Sequence, residues 1–397
     1  MQAPPYNVAI VGASVSGASL AIRLGQKGLT AALIDRDRFP RRKACGEGVS
    51  DIALDSLYQL GLEPEIRNLE GKPFFSFRLC LGQGSFEFAS DGHRTPKGVG
   101  IPRFRLDKLL TDQASALNSV DPFFGNSVTA ISKEKSNYLV KLAGGQQIRA
   151  RYLVLADGAN SVNARKLGIP KTTKKKLPLW GMSYALEGTF ERETGEVLIL
   201  LKDGFEVYCT PVSDTTLNVA LLSRKNRVAY LRNETVCQEL LREAAEKSSF
   251  SCKGFGKAIM AGPVGVTKRP YSYHSILLLG DSTESLDPIA GMGLTHGVLM
   301  SEHAATALVD IFQHGVSEGE ALAAYAENCR EMSRLYRGFT QLTASLLRSR
   351  LRRLLIPLLS CTRLPFLVNN ALRCHATSAS ASLACLPFTK FLQLIGS

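Results

Sequence analysis

Apolar side chains follow three kinds of pattern along the chain. Residues 7–11, 152–155 and 275–279 are short and continuously apolar, which predicts strands buried on both faces of a parallel sheet. Residues 16–27, 106–117, 236–247 and 296–312 repeat apolar positions at helical spacing, and Gly28 stands just past the end of the first of these helices. Residues 29–34 predict a second parallel strand that ends in Asp35. Between residues 182 and 222 the period falls to two, the mark of an antiparallel sheet, and residues 74–88 predict a hairpin around Gly82-Gln83-Gly84. No internal repeat is visible.

The order of these elements predicts an α/β fold. A Rossmann-like nucleotide-binding domain is expected from residues 1–75, 100–170 and 271–330. A β-rich substrate domain, an antiparallel sheet, is inserted as residues 76–99 and 171–270, and residues 331–397 form a basic helical C-terminal segment.

Composition narrows the function. A 397-residue chain with 45% hydrophobic and 21% charged residues is ordinary globular protein, so disorder and low-complexity architectures are excluded. The net charge of +13 points to an anionic partner, but it is unevenly placed. From Met332 to Ser397 there is no Asp or Glu against eight Arg and one Lys, so this segment alone holds +9. The body is near neutral, and no nucleic-acid partner is expected. Nine scattered Cys without a Cys-x-x-Cys pair predict neither zinc nor a disulfide framework, and fit a reduced cytoplasmic setting. No basic leader precedes the first strand and no run of 18 uncharged apolar residues occurs, so neither a cleaved signal nor a spanning helix is expected.

Three blocks carry the chemistry. The first turn, Gly12-Ala13-Ser14-Val15-Ser16-Gly17, is a Gly-x-Gly-x-x-Gly fingerprint with Ser14 at its middle position. Gly12 permits the tight turn, a small residue at 14 lets a pyrophosphate approach the backbone, and Gly17 lets helix and strand pack closely. The N–H groups at Val15 and beyond then face the phosphates. Asp35, 23 residues after Gly12 and followed by Arg36, is placed to accept from both ribose hydroxyls and would repel a 2′-phosphate, which selects FAD or NAD. The second block is an apolar strand ending in Asp157-Gly158. The third delivers Gly280-Asp281 and continues through Asp287-Pro288 to Gly291-Met292-Gly293-Leu294 at a new helix start. Asp281 can accept from a ribityl hydroxyl, and the 291–294 backbone can donate to flavin oxygens.

These blocks, in this order, resemble the flavoprotein superfamily of aromatic-ring hydroxylases (p-hydroxybenzoate hydroxylase-like), geranylgeranyl reductases and flavin-dependent halogenases. The resemblance covers roughly residues 6 to 330 and implies FAD as cofactor, with NAD(P)H as a transient reductant. Lys43-Ala44-Cys45-Gly46-Glu47-Gly48-Val49-Ser50 is similar to the reductases' Cys-Gly-Glu-Gly segment, which implies that Cys45, Gly46 and Gly48 run beside the flavin. By the same resemblance Arg103, followed by Leu106-Asp107, reaches cofactor, and Val128 lies in the strand bracketing the adenine. One segment departs. Where the reductases carry Tyr-x-Trp-x-Phe-Pro, this chain has Glu206-Val207-Tyr208-Cys209-Thr210-Pro211. The halogenases' Trp pair is missing too, since the single Trp is Trp180.

The reactive atoms are expected on the flavin, with Cys45, Tyr208 and His296 as candidate catalytic side chains. The other five histidines show no ligand spacing, and the 171–176 lysine cluster reads as a solvated connection. In the tail, Leu347, Leu351, Leu354, Leu355 and Leu358 fall at helical spacing among Arg348, Arg350, Arg352 and Arg353, with Pro357 expected to kink or end the helix. Such a helix either lies on an anionic membrane surface or caps the substrate domain. The expected enzyme is an FAD-dependent, NAD(P)H-driven oxidoreductase acting on a lipophilic small molecule. It is most simply a monooxygenase of an aromatic, polyketide or quinone-like substrate, alternatively a reductase of isoprenoid double bonds, and remotely a flavin-binding membrane-associated protein without turnover. It is placed in the cytoplasm, peripheral on the inner face of the cytoplasmic membrane.

Overall fold

The computed structural model describes residues 4–88, 95–173, 179–193, 195–202, 204–224, 233–264, 266–349 and 351–360. The sequence features at His93, Lys174–Lys176, Arg350, Cys361, Cys374, His375 and Cys385 lie outside the described residues, as does the tail beyond Ser360.

Four parallel strands form the centre of the first sheet, in the order Ile276–Leu278, Gln147–Leu155, Tyr6–Val11 and Ala31–Asp35. Val8 to Val11, Ala31 to Ile34 and Tyr152 to Leu155 are all buried, which explains why they read as unbroken apolar runs. Helices Val15–Gln26, Arg103–Ser115 and Gly293–Gln313 pack on one face with their apolar sides inward. The hairpin Val128–Glu134 and Asn137–Leu142 extends the strand Gln147–Leu155 on its antiparallel side.

The second sheet runs in the order Phe250–Phe255, Leu179–Phe190, Thr216–Arg224, Phe205–Ser213, Glu196–Lys202, Ser76–Leu81 and Gly84–Phe88, with Ile259–Val264 also paired to Leu179–Phe190. It is antiparallel except at one joint: Glu196–Lys202 and Ser76–Leu81 run parallel. That joint follows from the chain path, because the two strands belong to separate excursions rather than to one hairpin. One face of the sheet, with Val207, Cys209, Val219 and Leu221, buries against helix Glu234–Lys247.

Helix Glu318–Leu347 is unbroken across residue 330, where the pattern reading begins its basic segment. The chain then turns at Arg348 and resumes as helix Arg352–Ser360. Pro357, expected to kink or end the helix, lies inside the second helix and does not end it there; the chain also turns earlier, where Arg348 is drawn into ion pairs. Leu347 and Ile356 pack on Leu79, Leu81 and Leu201 of the second sheet, whereas Leu351 and Leu354 are 59% and 67% exposed. No helix among the described residues is long and apolar enough to cross a membrane.

Candidate active site

The central parallel strands all deliver their turns to one edge. Backbone bonds Gly12 N to Ile34 O (2.7 Å), Ala156 N to Val11 O (2.7 Å) and Leu279 N to Leu155 O (2.9 Å) continue the ladder past the strand ends. Gly12, Asp35, Ala156-Asp157 and Gly280-Asp281 therefore line the carboxyl edge of the sheet, the place where open α/β sheets bind nucleotides. Glycine is obligatory at two of these points. Gly12 sits at φ +108°, and a Cβ there would lie 2.3 Å from the Ala156 carbonyl oxygen; a Cβ at Gly17 would lie 1.9 Å from the Gly12 carbonyl oxygen.

The carboxylates at this edge are partly spent on the turns themselves. Asp35 accepts from the Ala13 N–H at 2.7 Å and from the Asp37 N–H at 2.9 Å, so it fixes the first turn from the neighbouring strand. Arg36 is exposed and lies near Asp37 at the surface. Asp157 accepts from Asn163 (2.9 Å) and from the Ser282 hydroxyl (3.3 Å), while the Gly158 N–H donates to that hydroxyl oxygen at 2.8 Å. The second and third blocks are thus tied together, and Asp281 stays half-buried beside them. Asn126 N donates to Asp35 O at 3.0 Å, which brings the start of strand Val128–Glu134, and with it half-buried Val128, near the Asp35 loop.

Arg103 is the junction of the site. It is buried, and its guanidinium donates to the Ser14 hydroxyl (3.0 Å), to Asp107 (2.9 Å) and to the Cys45 thiol (3.6 Å). Burial works against its charge, but Asp107 and Cys45 outweigh it and hold the guanidinium pKa above its ordinary value. Its Nε has no partner among the described residues. The residue is more than a surface ion pair with Asp107: it ties the first turn to the Cys-Gly-Glu-Gly segment.

That segment is held from three sides. Besides Arg103, the Asn218 amide of the second sheet donates to Cys45 O at 3.1 Å, and Ser50 and Thr295 share a hydroxyl–hydroxyl bond of 2.8 Å. Glu47 between its two glycines adopts φ +60°, a conformation that costs a non-glycine residue of order 1 kcal/mol or more and collects at functional sites. Burial pushes its carboxyl up to about 7, against the opposing Arg103 N–H bond and the Arg103 and Arg42 charges. Open space surrounds the positions a side chain would take at Gly46, Gly291 and Gly293, so flat backbone faces outward on both sides of the crevice. Gly291 adopts φ +65° and turns the chain into helix Gly293–Gln313, whose first N–H groups lack helical acceptors.

Two catalytic candidates fare differently. Tyr208 lies on the second sheet's other face, and its hydroxyl donates to Glu206 at 3.1 Å and approaches Ile289 O at 3.4 Å beside the Gly291 turn. Burial first, then the Glu206 charge, hold its phenol well above the usual value. His296 is buried, bonded to Ser333 at 2.8 Å between two helices, and burial lowers its pKa. Its imidazole is an interior packing group and does not open onto the loop. Pattern reading missed Asn218, Ser50–Thr295 and Arg348, because each acts through a partner far away in the sequence.

A glycine turn backed by Asp35, a buried arginine with an unbonded nitrogen, and a second glycine turn at a helix start together define a dinucleotide-binding flavoprotein site. The residues present fit FAD: residues 12–17 with Arg103 would take its diphosphate, Asp35 its ribose, and residues 45–48 and 291–294 its ring side. The chain belongs to the FAD binding domain family, whose profile matches residues 5–338. It is 25% identical over 319 residues to a menaquinone reductase of Mycobacterium tuberculosis, covering 76% of each chain. It is 23% identical over 344 residues to a 3-demethoxyubiquinol 3-hydroxylase of Escherichia coli, covering 81% of this chain and 83% of that one. Among solved structures, the flavin-dependent halogenase CmlS superposes with a TM-score of 0.73 at 18% identity, over 99% of this chain and 77% of that one. The protein is an FAD-dependent oxidoreductase of the monooxygenase and reductase family.

Proposed function

We propose that this enzyme is an NAD(P)H-driven monooxygenase that hydroxylates a lipophilic aromatic or quinone-like substrate. The observation that carries the reading is the wall facing the Gly291 turn. There Tyr208 and Glu206 stand where the reductases' aromatic pair would be, and Glu206 is engaged by Arg348. The wall thus offers one phenol hydroxyl beside Ala220 and Leu222 of the adjacent strand, on a face that also carries Glu206, Thr210 and Asn218. Likeness to a 3-demethoxyubiquinol 3-hydroxylase over four-fifths of both chains supports the same class of substrate.

Reduced FAD supplies the reducing electrons, either to oxygen for hydroxyl transfer or directly as hydride to an acceptor. The chain positions and shields. The Gly12 turn and Arg103 hold the diphosphate end, Asp35 the ribose, and the 291–294 backbone orients the ring end. Tyr208, whose own proton goes to Glu206, accepts a hydrogen bond from a substrate hydroxyl and holds the ring to be hydroxylated against the ring end of the site. Glu47, with a carboxyl near neutrality, exchanges a proton with solvent at the mouth of the crevice.

A second reading, reduction of isoprenoid double bonds, is favoured by the intact Cys45-Gly46-Glu47-Gly48 segment and by likeness to a menaquinone reductase. Oxygen uptake stoichiometric with hydroxylated product from a short-chain ubiquinone precursor selects the first. Anaerobic NAD(P)H oxidation coupled to saturation of a polyprenyl chain selects the second and overturns it.

Membrane contact is a further element of the reading. Leu351 and Leu354 are exposed beside Arg352 and Arg353, so helix Arg352–Ser360 presents leucine and arginine together to an anionic lipid interface at the inner face of the cytoplasmic membrane, where lipophilic substrates reside.

A further inference from the structure

One arginine from the C-terminal segment joins two acids that lie 142 and 61 residues before it. Arg348 Nε donates to Glu206 Oε1 at 2.6 Å and Nη2 to Glu206 Oε2 at 3.2 Å; Nη1 donates to Asp287 Oδ2 at 2.5 Å and Nη2 to Asp287 Oδ1 at 3.0 Å. All three guanidinium nitrogens are used, and both carboxylates are gripped by both oxygens. The side chains of Arg348, Glu206 and Asp287 are 18%, 13% and 7% exposed. Burial opposes the guanidinium charge, but the two carboxylates outweigh it and hold the pKa above its ordinary value.

Each acid in turn fixes a part of the active site. Asp287 accepts from the Ile289 N–H at 3.1 Å and so sets the Pro288–Ala290 turn that ends at Gly291. Glu206 accepts the Tyr208 hydroxyl, which also approaches Ile289 O. The contacts close a ring: Arg348, Asp287, the 289 backbone, Tyr208, Glu206 and back to Arg348. The Pro288–Ala290 turn lies outside the second sheet that carries Tyr208 and Glu206, and this guanidinium ties the two together through ion pairs.

The geometry points to Arg348 as a positioning residue for both the flavin and the substrate wall: it sets the register between the Gly291 turn and Tyr208, and makes the C-terminal segment part of the active site. A lysine at 348 would keep the charge but, as a point donor, cannot span two carboxylates in this fork geometry. Glu206, the residue that breaks the reductases' aromatic pattern, is then the anchor that Arg348 requires.

The test uses the full chain, stripped of and titrated with FAD. For R348A the FAD dissociation constant is expected to rise about tenfold, equal to ~1.4 kcal/mol, and the visible band of the bound flavin to shift. Guanidinium ion at sub-denaturing concentration restores both, and R348K restores neither. Wild-type affinity and spectrum in R348A overturn the proposal, as does a lowered melting temperature with an unmoved flavin spectrum, since that is a purely structural role. If R348A does not fold, R348K carries the test: a shifted band and weakened FAD binding at near wild-type melting temperature support the proposal, and an unshifted band with wild-type affinity overturns it.

Discussion

In the proposed reading the Gly12 turn and the Arg348 junction position the same cofactor, by opposite means. At Gly12 the backbone itself is the binding surface, and the only demand on side chains is that there be none: Ala156 and the turn's own carbonyl fill the space. At Arg348 the backbone is incidental, and three charged side chains from three distant segments do the holding. The first kind of site tolerates no added side chain at Gly12 or Gly17, and charge enters it only through neighbours such as Asp35, which accepts the Ala13 N–H. The second tolerates some chemistry but depends on charge.

The largest effect is expected where bulk meets backbone. A Cβ at residue 17 would overlap the Gly12 carbonyl oxygen at 1.9 Å, and no flexible side chain is there to give way. G17V should cost more than about 4 kcal/mol and yield protein without bound flavin, checked by denaturant unfolding and by the absorbance of the purified protein. If G17V retains FAD at wild-type stoichiometry, the contrast drawn here fails at its stronger end.

Next comes the buried arginine that connects the two kinds of site. R103M removes the charge facing Asp107, which is fully buried, and cuts the link from Ser14 to Cys45. Leaving a buried carboxylate without its partner costs about 3–5 kcal/mol, although Arg41, 3.5 Å from the second Asp107 oxygen, softens the loss. The double variant R103M/D107L should recover much of that stability without recovering FAD affinity, because the Ser14 and Cys45 contacts stay lost. Equal recovery of both would reduce Arg103 to a partner of Asp107.

How much of this was visible in the sequence follows the same division. Strands buried on both faces leave continuous apolar runs, and turns that forbid a Cβ leave glycines, so residues 7–17, Asp35, Asp157-Gly158 and Gly280-Asp281 were legible and fell at one sheet edge. Asp35 and Asp157 were legible as positions but not as actors: their bonds to the 13, 37 and 163 neighbours depend on loop geometry that spacing does not encode. His296 misled because a histidine after a glycine loop looks the same whether it faces a ligand or Ser333. The tail's charge misled in another way. Arg337 and Arg348 count toward the basic excess, yet Arg337 is bound to Glu284 and Arg348 to Glu206 and Asp287 inside the body. An ion pair across 142 residues has no local signature, so a run without acids overstates the charge left for solvent.

A smaller effect tests the charge-dependent side through pH. The Glu47 carboxyl, raised by burial from 4.5 to about 7, binds a proton in the folded protein over a window where the unfolded chain has lost it. The stability its neutral form contributes is therefore fully present below about 4.5 and is lost as pH rises through about 7. E47Q keeps the neutral shape at every pH. In the flavin-free protein it should match wild type near pH 5 and exceed it at pH 8 by about 1–2 kcal/mol, since partial exposure discounts the full shift. Urea midpoints at the two pH values measure this, and a gain independent of pH would show that ionisation of Glu47 is not responsible.

The smallest expected effect concerns the part of the C-terminal segment that the junction leaves outward. Leu347 and Ile356 are committed to the core, so among the described residues Leu351, just before helix Arg352–Ser360, and Leu354 and Leu355 within it are the leucines available to lipid, and a single exposed leucine contributes about 1–2 kcal/mol of transfer at most. Each nearby arginine adds about 1 kcal/mol at an anionic surface. L354E should therefore weaken co-sedimentation with phosphatidylglycerol vesicles about tenfold, and added salt should do the same to wild type. The flavin spectrum should not change, because Leu354 lies outside the Arg348 ring. Binding to neutral vesicles that survives both salt and L354E would mean that the interface lies elsewhere. A spectrum that moves with L354E would mean that the outward face and the flavin loop are coupled through Arg348, which would make the contrast between the two sites one of degree.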